Sequence, residues 1–78
     1  PSLVPVAGAQ KIGNLDGLTA NGDSLYVSDW INGNLFKVSG NTHEKVLSLN
    51  PGLADISSHN GLLFAPLMMD GIVRAWRI

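Results

Sequence analysis

Two aspartates in this 78-residue sequence have neighbours that suit a chemical role. Asp16 precedes Gly17 at the start of an apolar segment, and Asp55 lies between Ala54 and Ile56. Hard divalent cations such as Ca²⁺ take six to eight oxygen ligands, which carboxylates and carbonyls supply. An Asp-Gly pair fits a tight turn equally well, with its carboxylate accepting bonds from backbone N–H groups. Asp55 could likewise accept bonds from the backbone of a neighbouring unit. Both interpretations stay open for both residues.

A second set of candidates is apolar. An apolar wall that excludes water around a small organic ligand could be formed by Trp30, which follows Asp29, and by the pair Met68 and Met69. Ordinary packing between structural elements is the alternative for all three. We predict Asp29, Trp30, Asp55, Met68 and Met69 as ligand-binding residues.

Other kinds of chemistry are excluded by composition and motif. The sequence has no cysteine, which excludes a disulfide scaffold and a thiol nucleophile. It has a net charge of −1 and no basic run to follow a phosphate backbone. It contains no G-x-S-x-G, P-loop or G-x-G-x-x-G motif. His43 and His59 are 16 residues apart, and we interpret them as surface turn residues.

The elements that must position these side chains repeat along the chain. Leu15-Asp16-Gly17-Leu18 aligns with Leu53-Ala54-Asp55-Ile56 at an offset of 38 residues. At the same offset Leu25-Tyr26-Val27 aligns with Leu63-Phe64-Ala65, and Gly33 aligns with Gly71. Several matches at one offset predict two copies of one structural unit.

Each unit is predicted to contain short antiparallel strands. Alternating apolar residues between Gly- and Asn-rich turns predict this architecture. The first unit has strands near 17–20, 24–28, 34–38 and 45–49, the second has strands near 54–58, 62–66 and 72–77, and 3–6 is an isolated strand. The fold class is therefore all-β, with about two four-stranded blades of the β-propeller type. Residues 1–14 form an outer strand and connecting loop, 15–50 a blade, and 51–78 a final, incomplete blade.

The two units resemble blades of the six-bladed calcium-dependent propellers, which include gluconolactonase, the senescence-marker protein (regucalcin) and related lactonases. The segments that carry the resemblance are Leu15–Leu18, Leu25–Trp30, Gly33–Val38, Ala54–Ile56, Leu62–Pro66 and Gly71–Trp76. It implies a propeller of about 230 residues, of which this chain is the C-terminal third, or a trimer of two-blade chains.

The resemblance also implies a site. It assigns Asp16 as catalytic residue and metal ligand, a divalent metal such as Ca²⁺ as cofactor, and one face of the ring as the binding face. Asp55 departs from the family pattern by one position. The implied location is periplasmic or secreted.

Three hypotheses for the function follow. The first is part of a metal-dependent hydrolase acting on a small lactone or ester. The second is a non-catalytic propeller that binds a small molecule or a protein. The third is a two-blade module that oligomerises into a closed ring. The expected partners are the rest of the propeller and a small-molecule ligand, with no nucleic acid and no membrane span.

Overall fold

The chain folds into two antiparallel β-sheets. The computed structural model describes residues 3–9, 11–49, 51–53, 55–67 and 70–78, and among these the only helical segment is a 3-10 turn at Ala7–Ala9. The seven strands are β1 Leu15–Asn21, β2 Ser24–Asp29, β3 Asn34–Ser39, β4 Thr42–Ser48, β5 Ser57–His59, β6 Leu62–Leu67 and β7 Ile72–Arg77. β1 to β4 form the first sheet in chain order, and β5 to β7 form the second. The predicted all-β class with two blade-like sheets is confirmed.

The repeat is present in the structure at the offset found in the sequence. β2 and β3 begin and end 38 residues before β6 and β7. The pair Leu15↔Asp29 in the first sheet has its counterpart in the isolated bridge Leu53↔Leu67. Equivalent residues therefore make equivalent backbone contacts, so the repeat is structural as well as sequential.

Tight turns set the register of the strands. Gly22 in the β1–β2 turn and Gly40 in the β3–β4 turn have φ values of 60° and 57°, which glycine adopts at little cost. Because the β3–β4 connection is only Gly40-Asn41, β4 begins at Thr42. The predicted start of this strand at Lys45 was therefore too late, and β5, predicted from Ala54, begins at Ser57.

The predicted isolated strand at 3–6 is not among the strands of the single chain and stays a prediction. These residues lie outside all strands and lead into the 3-10 turn, with the Ala9 N–H donating to the Val6 carbonyl over 3.0 Å. Leu3 is fully exposed and Val4 is 79% exposed. A strand needs a neighbouring edge for its backbone hydrogen bonds, and the two described sheets include no strand from this segment.

The main core lies between the two sheets. Tyr26 and Leu35 of the first sheet pack with Leu63, Ala65 and Leu67 of the second, and each is 5% exposed or less. Since side chains alternate between the faces of a strand, Phe64 and Pro66 lie on the opposite face of β6. The sheets are thus stacked face to face, like neighbouring blades.

A second, smaller core covers the other face of the first sheet. Val27, Phe36 and Val38 form it, and Ala9 and Ile12 from the N-terminal segment pack against them. The N-terminal segment therefore lies on the side of the first sheet that is away from the second sheet.

Candidate functional site

The predicted site residues that the structure describes are carried by one end of the two stacked sheets, which we call the rim. β1 and β5 begin at this end, and the β2–β3 and β6–β7 connections lie there too. The β2–β3 loop joins the two units: the Trp30 N–H donates to the Asn14 carbonyl over 3.3 Å, and the Gly52 N–H donates to the Trp30 carbonyl over 2.9 Å. The rim is thus a connected layer of loops.

Asp29 organises the loop that follows it. Its side chain is 1% exposed, and one carboxylate oxygen accepts bonds from the N–H groups of Ile31 and Asn32 over 3.1 and 3.4 Å. The other oxygen accepts a bond from the Asn32 side-chain amide over 3.0 Å. Gly13 packs directly on this carboxylate, because an added Cβ there would lie 2.9 Å from an oxygen of Asp29. Both oxygens therefore serve the loop, and ligand binding by Asp29 stays a prediction.

Asp16 faces solvent at the start of β1. It is exposed, and it lies in an irregular part of the β1–β2 ladder between Leu15 and Leu18. The next residue, Gly17, is buried and donates its N–H to the hydroxyl of Ser28 over 2.9 Å. The backbone that carries Asp16 is thus anchored, while its carboxylate is open to a ligand.

The other candidates at the rim are exposed or lie outside the described residues. Trp30 is 50% exposed. Asp55 is exposed as well, and one of its oxygens accepts the Ile56 N–H over 3.0 Å. Met68 and Met69 are outside the described residues, so their predicted role stays a prediction.

The described residues do not by themselves fit a calcium ion. No group of three or more His, Cys, Asp or Glu side chains is close enough among them to hold a metal. One carboxylate falls short of the six to eight oxygens that Ca²⁺ takes. A site with three acidic side chains would need at least one of them from outside the described part of the chain.

His43 has a structural environment at the opposite end of the sheets. It lies in β4, not in a turn as predicted, and its Nδ1 is 3.1 Å from the Gly8 carbonyl oxygen. Its ring meets that of Phe36 edge to face, with centroids 5.9 Å apart. His43 thus helps to fasten the N-terminal segment to the first sheet.

Two open grooves were not foreseen from the sequence. The first, of about 230 Å³, lies on the outer face of the second sheet and is lined by Asp55, Ile56, Ser57, Phe64, Pro66 and Val73. The second, of about 320 Å³, lies between the sheets beside β7; its lining includes Tyr26, Glu44, Val46, Leu47 and Trp76. The continuous apolar run of β6, Leu62–Leu67, was the available signal, since successive side chains point to opposite faces and make both faces of this strand apolar.

Comparison with known proteins adds no family to this description. The chain matches no protein-family model, and no curated protein matches it significantly. Among the described residues, no helix has the length and apolar character needed to cross a membrane.

Proposed function

We propose that this chain is a pair of blades in a larger propeller-like assembly, in which further blades cover the outer face of its second sheet. The supporting observation is the exposure of that face. Val73 is 68% exposed, Pro66 is exposed and Phe64 is half-buried, although the other face of the same sheet is packed in the core. Large exposed apolar patches commonly mark interaction sites.

The inner face of the second sheet shows the kind of packing that we propose for the outer one. Leu63 and Ala65 are completely buried against the first sheet. Their neighbours Phe64 and Pro66, one step along the strand, have no such cover. A second stacking of the same type would bury them and leave polar residues of the rim accessible. The apolar character of both faces supports the proposed role of this sheet as an internal blade.

Sedimentation velocity over a range of concentrations tests the proposal. We expect the chain to self-associate and the Val73→Lys variant to associate about tenfold more weakly, since fully burying a valine contributes about 1.5 kcal/mol. Asn41→Lys is the matched control, because it adds the same charge in an exposed turn, away from this face. A chain that stays monomeric at every concentration, with the circular dichroism of a folded β-protein, would contradict the proposal.

A hydrolase acting on a small lactone or ester is the second candidate, and the exposed carboxylate of Asp16 favours it. The neighbouring blades would supply the remaining oxygen ligands of a divalent metal such as Ca²⁺. Calorimetric titration of the assembled protein with Ca²⁺ tests this: Asp16→Asn should abolish binding, and Asp23→Asn, in an exposed turn, should not. Unchanged affinity in Asp16→Asn would exclude Asp16 as a ligand.

Binding without catalysis would use the same rim. Trp30, half exposed beside Asn32, offers an apolar surface there. Ligand binding that persists after chelation of divalent ions would favour this function over hydrolysis. Binding that is lost with the metal would favour hydrolysis.

A further inference from the structure

If the chain forms the proposed assembly, the open edge of its second sheet needs a partner strand. β7 pairs with β6 on one side, and no described strand lies on its other side. The first sheet has four strands and the second has three. The position that a fourth strand would take beside β7 is thus open among the described residues.

The facing rows of side chains show where this position lies. Thr19, Tyr26, Lys37 and Glu44 are directly paired across the four strands of the first sheet. Ser58, Leu63 and Trp76 are paired across the three strands of the second. Thr19 contacts Ser58, so the two rows of side chains begin next to each other. The row of the first sheet extends over four strands and that of the second sheet over three. The groove of about 320 Å³, lined by β4 and by Trp76 to Ile78, is therefore the space of a fourth strand.

We infer that residues 3–6 of a second copy of this chain occupy this groove as an added strand beside β7. The segment is Leu-Val-Pro-Val, with no charged residue to bury. Leu3 and Val4 are exposed in the single chain, and the groove offers them the apolar side chains of Val46, Leu47 and Trp76. Addition of an extended segment to an open sheet edge is a common mode of recognition.

Proline in the segment agrees with this position. Pro5 has no N–H group and is tolerated in an edge strand, where one side of the backbone forms no ladder. The added strand would be the edge of the completed sheet. Lys, Asp or Glu, which commonly protect an edge, are absent from residues 3–6.

The anchoring of the N-terminal segment favours binding between copies. An added Cβ on Gly8 would lie 2.6 Å from the Thr42 carbonyl oxygen, so the segment fits closely against the β3–β4 turn. Ala9 and Ile12 pack on the face of the first sheet that is away from the second sheet. Residues 3–6 come before this anchored turn and are exposed in the single chain, so they do not fill the groove of their own chain.

A single neighbour would fill both grooves. A copy that places its residues 3–6 beside β7 brings the covered face of its first sheet toward the outer face of this second sheet, where Phe64 and Val73 are open. The contact is head to tail, because different surfaces of the two copies meet, and such contacts form rings when the rotation closes.

Charge placed in the segment tests the inference. In sedimentation velocity, Val4→Lys should weaken self-association about tenfold or more, because the apolar contacts of the valine are lost and a cation is added beside Lys37 and Arg77, with Glu44 as the one acidic lining residue. Asn41→Lys makes the same change of charge in an exposed turn and should leave association unchanged. Association that is weakened by Val73→Lys but not by Val4→Lys would overturn this inference and leave the proposed function standing. A wild-type chain that does not associate would overturn both.

Cross-linking between copies locates the segment, because the chain has no cysteine of its own. Isotopically labelled Val4→Cys protein is mixed with unlabelled Val46→Cys protein under mild oxidation, and mixed disulfides are identified by mass. We expect a mixed dimer as the main product. Leu18→Cys, on the innermost strand, replaces Val46→Cys as the control and should give little. Equal yields from the two mixtures would contradict the inference.

Discussion

The hydroxyl oxygen of Thr19 in β1 lies 2.9 Å from that of Ser58 in β5. Ser58 also donates to the Ala20 carbonyl over 2.8 Å. A hydroxyl has one proton, so Thr19 is the donor in the contact between the two side chains. These two bonds join β1 to β5, the first strands of the two sheets. They thereby set which residues of the two sheets face each other, from β1 and β5 to the open groove beside β7.

Removal of the Ser58 hydroxyl should loosen this joint. Ser58→Ala leaves the Ala20 carbonyl and the Thr19 hydroxyl without their partner, and we expect a loss of about 1–2 kcal/mol in the free energy of unfolding. Chemical denaturation measures it. Ser24→Ala is the control, since the Ser24–Ser39 contact is exposed and 3.3 Å long. Equal losses in both variants would contradict a special role for Ser58.

Truncation in the inter-sheet core should cost more. Leu63 is completely buried among residues of both sheets, and Leu63→Ala should reduce the free energy of unfolding by about 2–5 kcal/mol. Leu18→Ala, at a site 60% exposed, should change it by less than about 0.5 kcal/mol. Denaturation of both variants by urea gives the comparison. A small loss in Leu63→Ala would mean that the sheets are not tightly stacked.

The carboxylate of Asp29 supports the rim through its own loop. Asp29→Ala removes the acceptor of three hydrogen bonds at a site 1% exposed, and we expect a loss of about 2–3 kcal/mol in the free energy of unfolding. The loop carries Trp30, so its fluorescence should shift toward that of a fully exposed indole. A Trp30→Phe variant, which retains only Trp76, separates the two contributions. An unchanged Trp30 signal in Asp29→Ala would show that other contacts hold the loop.

Periodicity and turn residues were enough to predict the all-β class, the strands β2, β3, β6 and β7 to within one residue, and the repeat. Each of these depends on local alternation between glycine-rich turns. The environments of Asp29 and Asp55 were not predictable in this way. The Asp29 carboxylate is buried because Gly13 and the loop that follows Asp29 close over it. Asp55 is exposed and lies two residues before β5, which begins at Ser57. Residues 3–6 are not a strand of the single chain although their sequence favours one, because a strand also needs a neighbouring edge for its backbone hydrogen bonds.

The close fit of Gly8 against the β3–β4 turn should control the cover of the first sheet. An added Cβ at residue 8 would meet the backbone of Gly40 and Thr42 at 2.6–2.8 Å, which side-chain rotation cannot relieve. Gly8→Ala should therefore displace the N-terminal segment and expose Phe36 and its neighbours, with a loss of about 1–3 kcal/mol. Limited proteolysis should cut the variant within residues 3–12 faster than the wild type. Ala7→Ser, at an exposed site in the same turn, should behave like the wild type. Slow cleavage of Gly8→Ala would mean that the segment holds its place without this contact, with Ala9 and Ile12 alone supplying the packing on the first sheet.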